Sequence, residues 1–153
     1  MYSLHDVRVG YFGSRPFSAF IRLRTGKRDA CFPGSTESRT DLPHGYRTEV
    51  VAEEQRNGYK ARKLRFNLTG YSRVNAYMLV PDGEGPFPAV VLLHDHGGHY
   101  TIGKEKMIRP FGVSPEVLAD ADAWAKQCYG GQYVGDYLAA HGYVVISIDA
   151  LFW

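Results

Sequence analysis

The stretch AVVLLHDHGGHY, residues 89–100, sets five apolar residues directly before three histidines, an aspartate and a glycine pair. AVVLL has no apolar/polar alternation, which suits a strand covered on both faces, as in a parallel sheet. Just upstream, PDGEGPFP at residues 81–88 breaks the chain. Before that break, Leu64, Phe66 and Leu68 alternate with Arg65 and Asn67, and Val74, Ala76, Met78 and Val80 alternate with Asn75 and Tyr77. TGYSR supplies a turn between the two runs, so the spacing predicts an antiparallel hairpin. Downstream, Ser114 followed by Pro115 and Glu116 reads as an N-cap with proline at N1 for the helix PEVLADADAWAKQC. A second helix, GQYVGDYLAAHGY, places Tyr133, Tyr137, Leu138 and His141 at helical spacing and stops at Gly142. YVVISIDAL, Tyr143 to Leu151, is another continuous apolar strand. Hairpin, buried strand, helical crossover and buried strand together predict an α/β fold, with a right-handed crossover and helices on the faces of the sheet.

Composition limits what this order can mean. With 153 residues, 44% of them hydrophobic, the chain can form one domain with a sizeable core, and overall disorder is excluded. No apolar run approaches the roughly 18 residues of a spanning helix, and MYSLHDVRVG has no apolar core of a signal peptide. The expectation is a soluble, cytoplasmic chain without membrane contact. Cys31 and Cys128 are far apart, with no C-x-x-C spacing, and read as two buried reduced thiols rather than a disulfide or zinc ribbon. Charge is uneven: residues 1–66 hold 13 Lys and Arg against 7 Asp and Glu, and residues 67–153 hold 5 against 9. The basic residues are spread among apolar ones and followed by acids, which favours a solvated N-terminal cap over a nucleic-acid-binding arm. Residues 1–59, dense in glycine and proline with SAFIRL as one short apolar element, read as an extension of loops and short helices. Residues 60–153 then form the α/β unit.

Ligands of such sheets bind beyond the carboxyl ends of the strands. HDHGGH begins where the first buried strand ends, and Asp149 lies near the end of the second. Two kinds of chemistry suit the histidine-rich loop. His94, His96 and His99 resemble the H-x-H-x-D-H zinc motif of the metallo-β-lactamase superfamily, but Gly98 stands at the aspartate position and no second ligand cluster follows. An oxyanion hole needs backbone N–H groups preorganised around a carbonyl oxygen that becomes anionic under attack. Gly97 and Gly98 let the backbone turn sharply without a Cβ in the way.

Two segments, AYMLVPDGEGPFPAVVLLHDHGGHYTIGKEK and YVGDYLAAHGYVVISIDALFW, carry a resemblance to the first half of an α/β-hydrolase of the dienelactone hydrolase and acetyl xylan esterase type. The pattern is an antiparallel strand, a proline-rich loop, PAVV-x-x-H-x-H-GG, then G-x-x-K. This resemblance implies a serine carboxylesterase acting on a small ester, with no metal and no diffusible cofactor. His96 would offer its main-chain N–H to the oxyanion and His94 would shape the loop at the strand end. Gly97 and Gly98 would give the loop its tight path, Asp95 stands where related esterases often have glycine, and Asp149 would line the pocket floor or cap the following loop. Lys104, Glu105 and Lys106 read as a solvated turn.

The family's G-x-S-x-G elbow, followed by an acid and a histidine, does not occur here. Gly70-Tyr71-Ser72-Arg73-Val74 lacks the second glycine, Ser147 lies within a strand, and Ser35 has no partner motif. The reading is therefore a truncated hydrolase, with an uncovered edge beside YVVISIDAL. That edge calls for the C-terminal half of the hydrolase or for self-association. The alternatives are a catalytically inactive fragment or interaction remnant and, more weakly, a metal-dependent hydrolase using His94, His96 and His99.

Overall fold

The computed structural model describes residues 45–150. One sheet is built from β1 (Glu49–Arg56), β2 (Tyr59–Asn67), β3 (Arg73–Pro81), β4 (Ala89–Leu93) and β5 (Val144–Ile148), in the spatial order β1-β2-β3-β5-β4. The connection from β4 to β5 holds a 3-10 turn (Lys104–Lys106), α1 (Pro115–Tyr129) and α2 (Val134–Ala140). The hairpin expected from the alternation is β2–β3, antiparallel, with Leu64 opposite Ala76 and Phe66 opposite Val74. Thr69 closes its turn, the hydroxyl oxygen accepting from the N–H groups of Tyr71 and Ser72. β4 and β5 run parallel, with Val90 beside Val145 and Leu92 beside Ser147, and β5 runs antiparallel to β3. The mixed sheet and its helical crossover place the fold in the α/β class.

The structure departs from the sequence-based expectation at several points. β1 lies within the segment read as loops and short helices, so the sheet begins at Glu49 rather than near residue 60. Its Glu53 pairs with Arg62 of β2, and the chain reverses through Asn57-Gly58 with Gly58 at φ +86. SAFIRL and Cys31 fall outside the described residues; Cys128, expected to be buried, is exposed. Among the described residues AVVLL is not covered on both faces, since Val91 is 55% and Leu93 76% exposed, and β4 is also an edge strand. Among the described residues the edge beyond β5 therefore belongs to β4, while β5 has a neighbour on each side.

The hydrophobic core lies on the two faces of β3. On one face Tyr59, Ala61, Tyr77, Leu79 and Val145 pack with Met107, Ile108, Phe111 and Ala139. On the other, Leu64, Ala76, Met78, Val80 and Val144 form a second cluster. Tyr77, which the alternation places among outward positions, is buried, because α2 and the segment after the 3-10 turn cover that face. Each large side chain so buried contributes about 1.5–3 kcal/mol of transfer free energy.

The helices start and stop as their punctuation predicts. The Ser114 hydroxyl accepts from the N–H of Val117 at 3.4 Å, Pro115 opens α1, and Gly130 closes it at φ +64. Gly142 follows α2 at φ +87. Within α2, the Gly135 N–H donates to the Met107 carbonyl at 2.8 Å. A Cβ there would lie 2.5 Å from Ile108 Cγ1. Only glycine allows this approach, which holds α2 against the segment that follows the 3-10 turn.

Candidate functional site

β4 delivers the chain at Leu93 into a loop whose centre is a tight turn. The His99 N–H donates to the His96 carbonyl at 2.8 Å. Gly97 and Gly98 sit at φ +50 and +70, two successive positive values that side-chain-bearing residues rarely adopt. The Gly98 N–H donates to Nδ1 of His96 at 3.0 Å. Gly97 also lies against Trp124 of α1, where a Cβ would come within 2.4 Å of the indole. Both His96 and Gly97 are exposed, and among the described residues neither backbone N–H has a hydrogen-bond partner.

The loop is organised around a buried cation. Lys106 is fully buried, and its Nζ donates to the carbonyls of Asp95, His96 and His99 at 2.8, 2.9 and 2.7 Å. The same ammonium lies 4.9 Å from the Trp124 ring centroid. Glu105 is buried as well, which corrects the expectation of a solvated turn. The cause is Asp149 at the end of β5, which accepts from the N–H of Lys104 at 3.0 Å and from its Nζ at 2.6 Å. Glu105 in turn accepts from the Gly103 N–H at 3.1 Å and pairs with Lys104 Nζ at 2.9 Å.

Charge and burial oppose each other at both lysines. Burial pulls the Lys104 ammonium down, but Glu105 and Asp149 outweigh it and leave the pKa above the ordinary value. At Lys106 burial prevails and the pKa falls below the ordinary value, although Asp95 and Asp120 resist the shift.

The remaining loop side chains take separate partners. Nε2 of His94 accepts from the Ala150 N–H at 3.0 Å, which joins the ends of β4 and β5. A neutral ring accepting there carries its proton on Nδ1, which lies 3.1 Å from the Asp95 carbonyl and donates to it. The Asp95 carboxylate accepts from the Tyr129 hydroxyl at 2.8 Å. Burial first, and that carboxylate next, push Tyr129 up to about 12. Nε2 of His99 is 2.7 Å from Asp120, which the Thr101 hydroxyl also reaches, and the ring stacks on Trp124 at 5.1 Å. The Thr101 hydrogen bond, followed by that of His99, holds the Asp120 carboxyl below its usual range. The His96 ring stacks on exposed Tyr100.

The five loop residues singled out in the sequence, His94 to Gly98, thus form one structure, with Asp149 behind it bound to Lys104 rather than directed into the loop. The three imidazoles do not converge. Among the described residues no group of three or more His, Cys, Asp and Glu is arranged to hold a metal ion. Ser72 sits in the hairpin turn bonded to Thr69, Ser147 is sealed within the sheet, and Ser35 lies outside the described residues. A half-open cavity of about 250 Å³ is lined by residues that include Lys63, Tyr77, Lys104 and Glu105, and by none of the loop. Lys106, Asp120, Trp124 and Tyr129 escaped the sequence reading as site residues. The signals for them were the G-x-x-K spacing from Gly103 and the four-residue spacing of Asp120 and Trp124 along one helix.

Set beside known proteins, the chain is 38% identical over 102 residues to "Putative hydrolase YtaP" of Bacillus subtilis, a match covering 66% of this chain and 29% of the relative. Its fold is similar to a crystal structure from Bacteroides fragilis described as a "putative acetyl xylan esterase", with a TM-score of 0.52 and 20% identity. That likeness covers 71% of this chain and 26% of the other. No protein-family model matches. The chain therefore has a hydrolase- and esterase-like α/β fold and spans under a third of the length of either protein. Among the described residues no helix is long and apolar enough to cross a membrane.

Proposed function

We propose that this chain supplies the oxyanion-stabilising segment of a serine carboxylic-ester hydrolase acting on a small ester, of the dienelactone hydrolase or acetyl xylan esterase type. The observation that carries the reading is the His96–His99 turn at the carboxyl end of β4, with its glycine pair and, among the described residues, the unpartnered N–H of exposed His96. When a serine attacks the ester carbonyl, negative charge gathers on the carbonyl oxygen, and a preorganised N–H stabilises it in the transition state more than in the ground state. In this reading His96 donates through its backbone. His94 and Asp95 fix the loop, Gly97 and Gly98 give it its path, and Asp149 supports it from beneath through Lys104.

The nucleophile and its acid and histidine partners come from polypeptide outside these 153 residues. That polypeptide pairs along the open edge of β4, where the exposed Val91 and Leu93 give it an apolar strand to cover. The test is turnover of a short-chain nitrophenyl ester by the chain with and without the remainder of the hydrolase. Turnover that needs both pieces and survives a chelator is the expected result. No turnover with any partner, or turnover abolished by the chelator, would sink the reading.

A further inference from the structure

Lys106 is the one fully buried charged side chain among the described residues, and the reading above gives it no chemical task. Burying an ammonium costs several kcal/mol unless its hydrogen-bonding capacity is filled, and an apolar side chain of similar volume would fill the space at lower cost. Here all three N–H donors are taken by carbonyls, and all three carbonyls come from one short loop, at Asp95, His96 and His99. A trans peptide is planar, with its C=O and N–H pointing in opposite directions. Drawing the Asp95 carbonyl onto Nζ therefore aims the His96 N–H away from the buried cation, and drawing in the His96 carbonyl does the same for the Gly97 N–H. These two consecutive amides belong to exposed residues and have no hydrogen-bond partner among the described residues. A cation on the oxygen side of a peptide also polarises it, which strengthens the N–H on its other side as a donor.

We propose that Lys106 is a positioning residue that aims and polarises the His96 and Gly97 N–H groups at an anionic oxygen, making a two-donor oxyanion site from one loop. Its catalytic consequence rests on the ester-hydrolase reading; its geometry does not. The supporting contacts fit this task. Trp124 covers the ammonium with its ring, and Asp149 places the 3-10 turn from which Lys106 projects.

Two measurements test it. In the isotope-labelled wild-type chain, NMR should detect slowly exchanging Lys106 ammonium protons and scalar couplings across hydrogen bonds from Nζ to the carbonyl carbons of Asp95, His96 and His99. In the complete hydrolase, Lys106→Met should lower kcat about 10- to 100-fold with KM within about threefold, a fraction of the loss seen when an oxyanion donor is removed outright. Absent couplings would overturn the assignment, as would a Lys106→Met enzyme with unchanged kcat or with the loss confined to KM. Wild-type enzyme that turns over no ester overturns the ester-hydrolase reading alone, and the couplings then still decide whether Lys106 orders the loop. They also decide it if Lys106→Met fails to fold.

Discussion

Replacing Gly97 with alanine perturbs the turn at its tightest point. The backbone there is at φ +50, where a side-chain-bearing residue costs roughly 1–2 kcal/mol. The new methyl would also stand 2.4 and 2.6 Å from two Trp124 ring atoms and 2.7 Å from Asp95 Oδ1. Trp124 cannot simply swing aside, because His99 stacks on its ring and the Lys106 ammonium lies over it. Overpacking of this kind adds about 1–3 kcal/mol. Gly98→Ala is the matched control, since Gly98 has φ +70 and its methyl would meet nothing within 4 Å, so it should show the backbone cost alone. In urea unfolding the additional 1–3 kcal/mol corresponds to a midpoint for Gly97→Ala about 1 M below that of Gly98→Ala, for a denaturant slope of about 1–3 kcal/mol/M. Equal midpoints for the two variants, or a Gly97→Ala midpoint matching wild type, would refute the packing of the turn on α1.

Three other outcomes are expected. Gly135→Ala should destabilise the protein in thermal unfolding, although alanine ordinarily gains about 1 kcal/mol over glycine inside a helix. Its methyl would meet Ile108 at 2.5 Å and the Met107 carbonyl at 3.0 Å, so a rise in Tm would contradict the close approach of α2. Because Asp120 is held below the usual carboxylate range, its support of the loop is fully present above about pH 4 and is lost as the pH falls through its lowered value. NMR of the His99 ring should report that loss in wild type but not in Asp120→Asn; identical acid titrations would show that Asp120 does not hold the ring. Leu93→Lys should destabilise the complete hydrolase in urea unfolding, since a charge on the edge of β4 disfavours the proposed pairing of the remaining polypeptide there, and an unchanged midpoint would place that contact elsewhere than β4.

Much of the fold was legible because periodicity and punctuation agreed. Alternation from Leu64 to Val80 around TGYSR marked the β2–β3 hairpin, and Ser114-Pro115 with Gly142 bounded the helical crossover. β1 was hidden by its company: the Asn57-Gly58 hairpin signal lies at the end of a stretch crowded with glycine and proline, and EVVAEEQR has charged residues on both faces of the strand, which hides its alternation. The strand AVVLL looked doubly buried because an apolar run specifies what a strand could bury against, not whether that cover is present. At the site, the glycine pair announced a turn and the histidines announced a polar loop. The G-x-x-K spacing from Gly103 marked Lys106, but its burial was not legible, because a lysine at the end of the charged run Lys104–Lys106 looks in sequence like a solvated one. Its burial follows from Asp149, more than forty residues downstream, reaching back to Lys104.

The proposed role of these residues is to stabilise the oxyanion for a serine that lies outside them. It is tested most directly by short-chain nitrophenyl ester turnover on purified material whose denaturing intact mass is measured from the same sample. Turnover by material heavier than these 153 residues (17.2 kDa), whether one longer polypeptide or two pieces, is the predicted result. Turnover from a single 17.2 kDa species would place the nucleophile within these residues and contradict the proposed role, as would heavier material carrying the remainder of the hydrolase that shows no turnover.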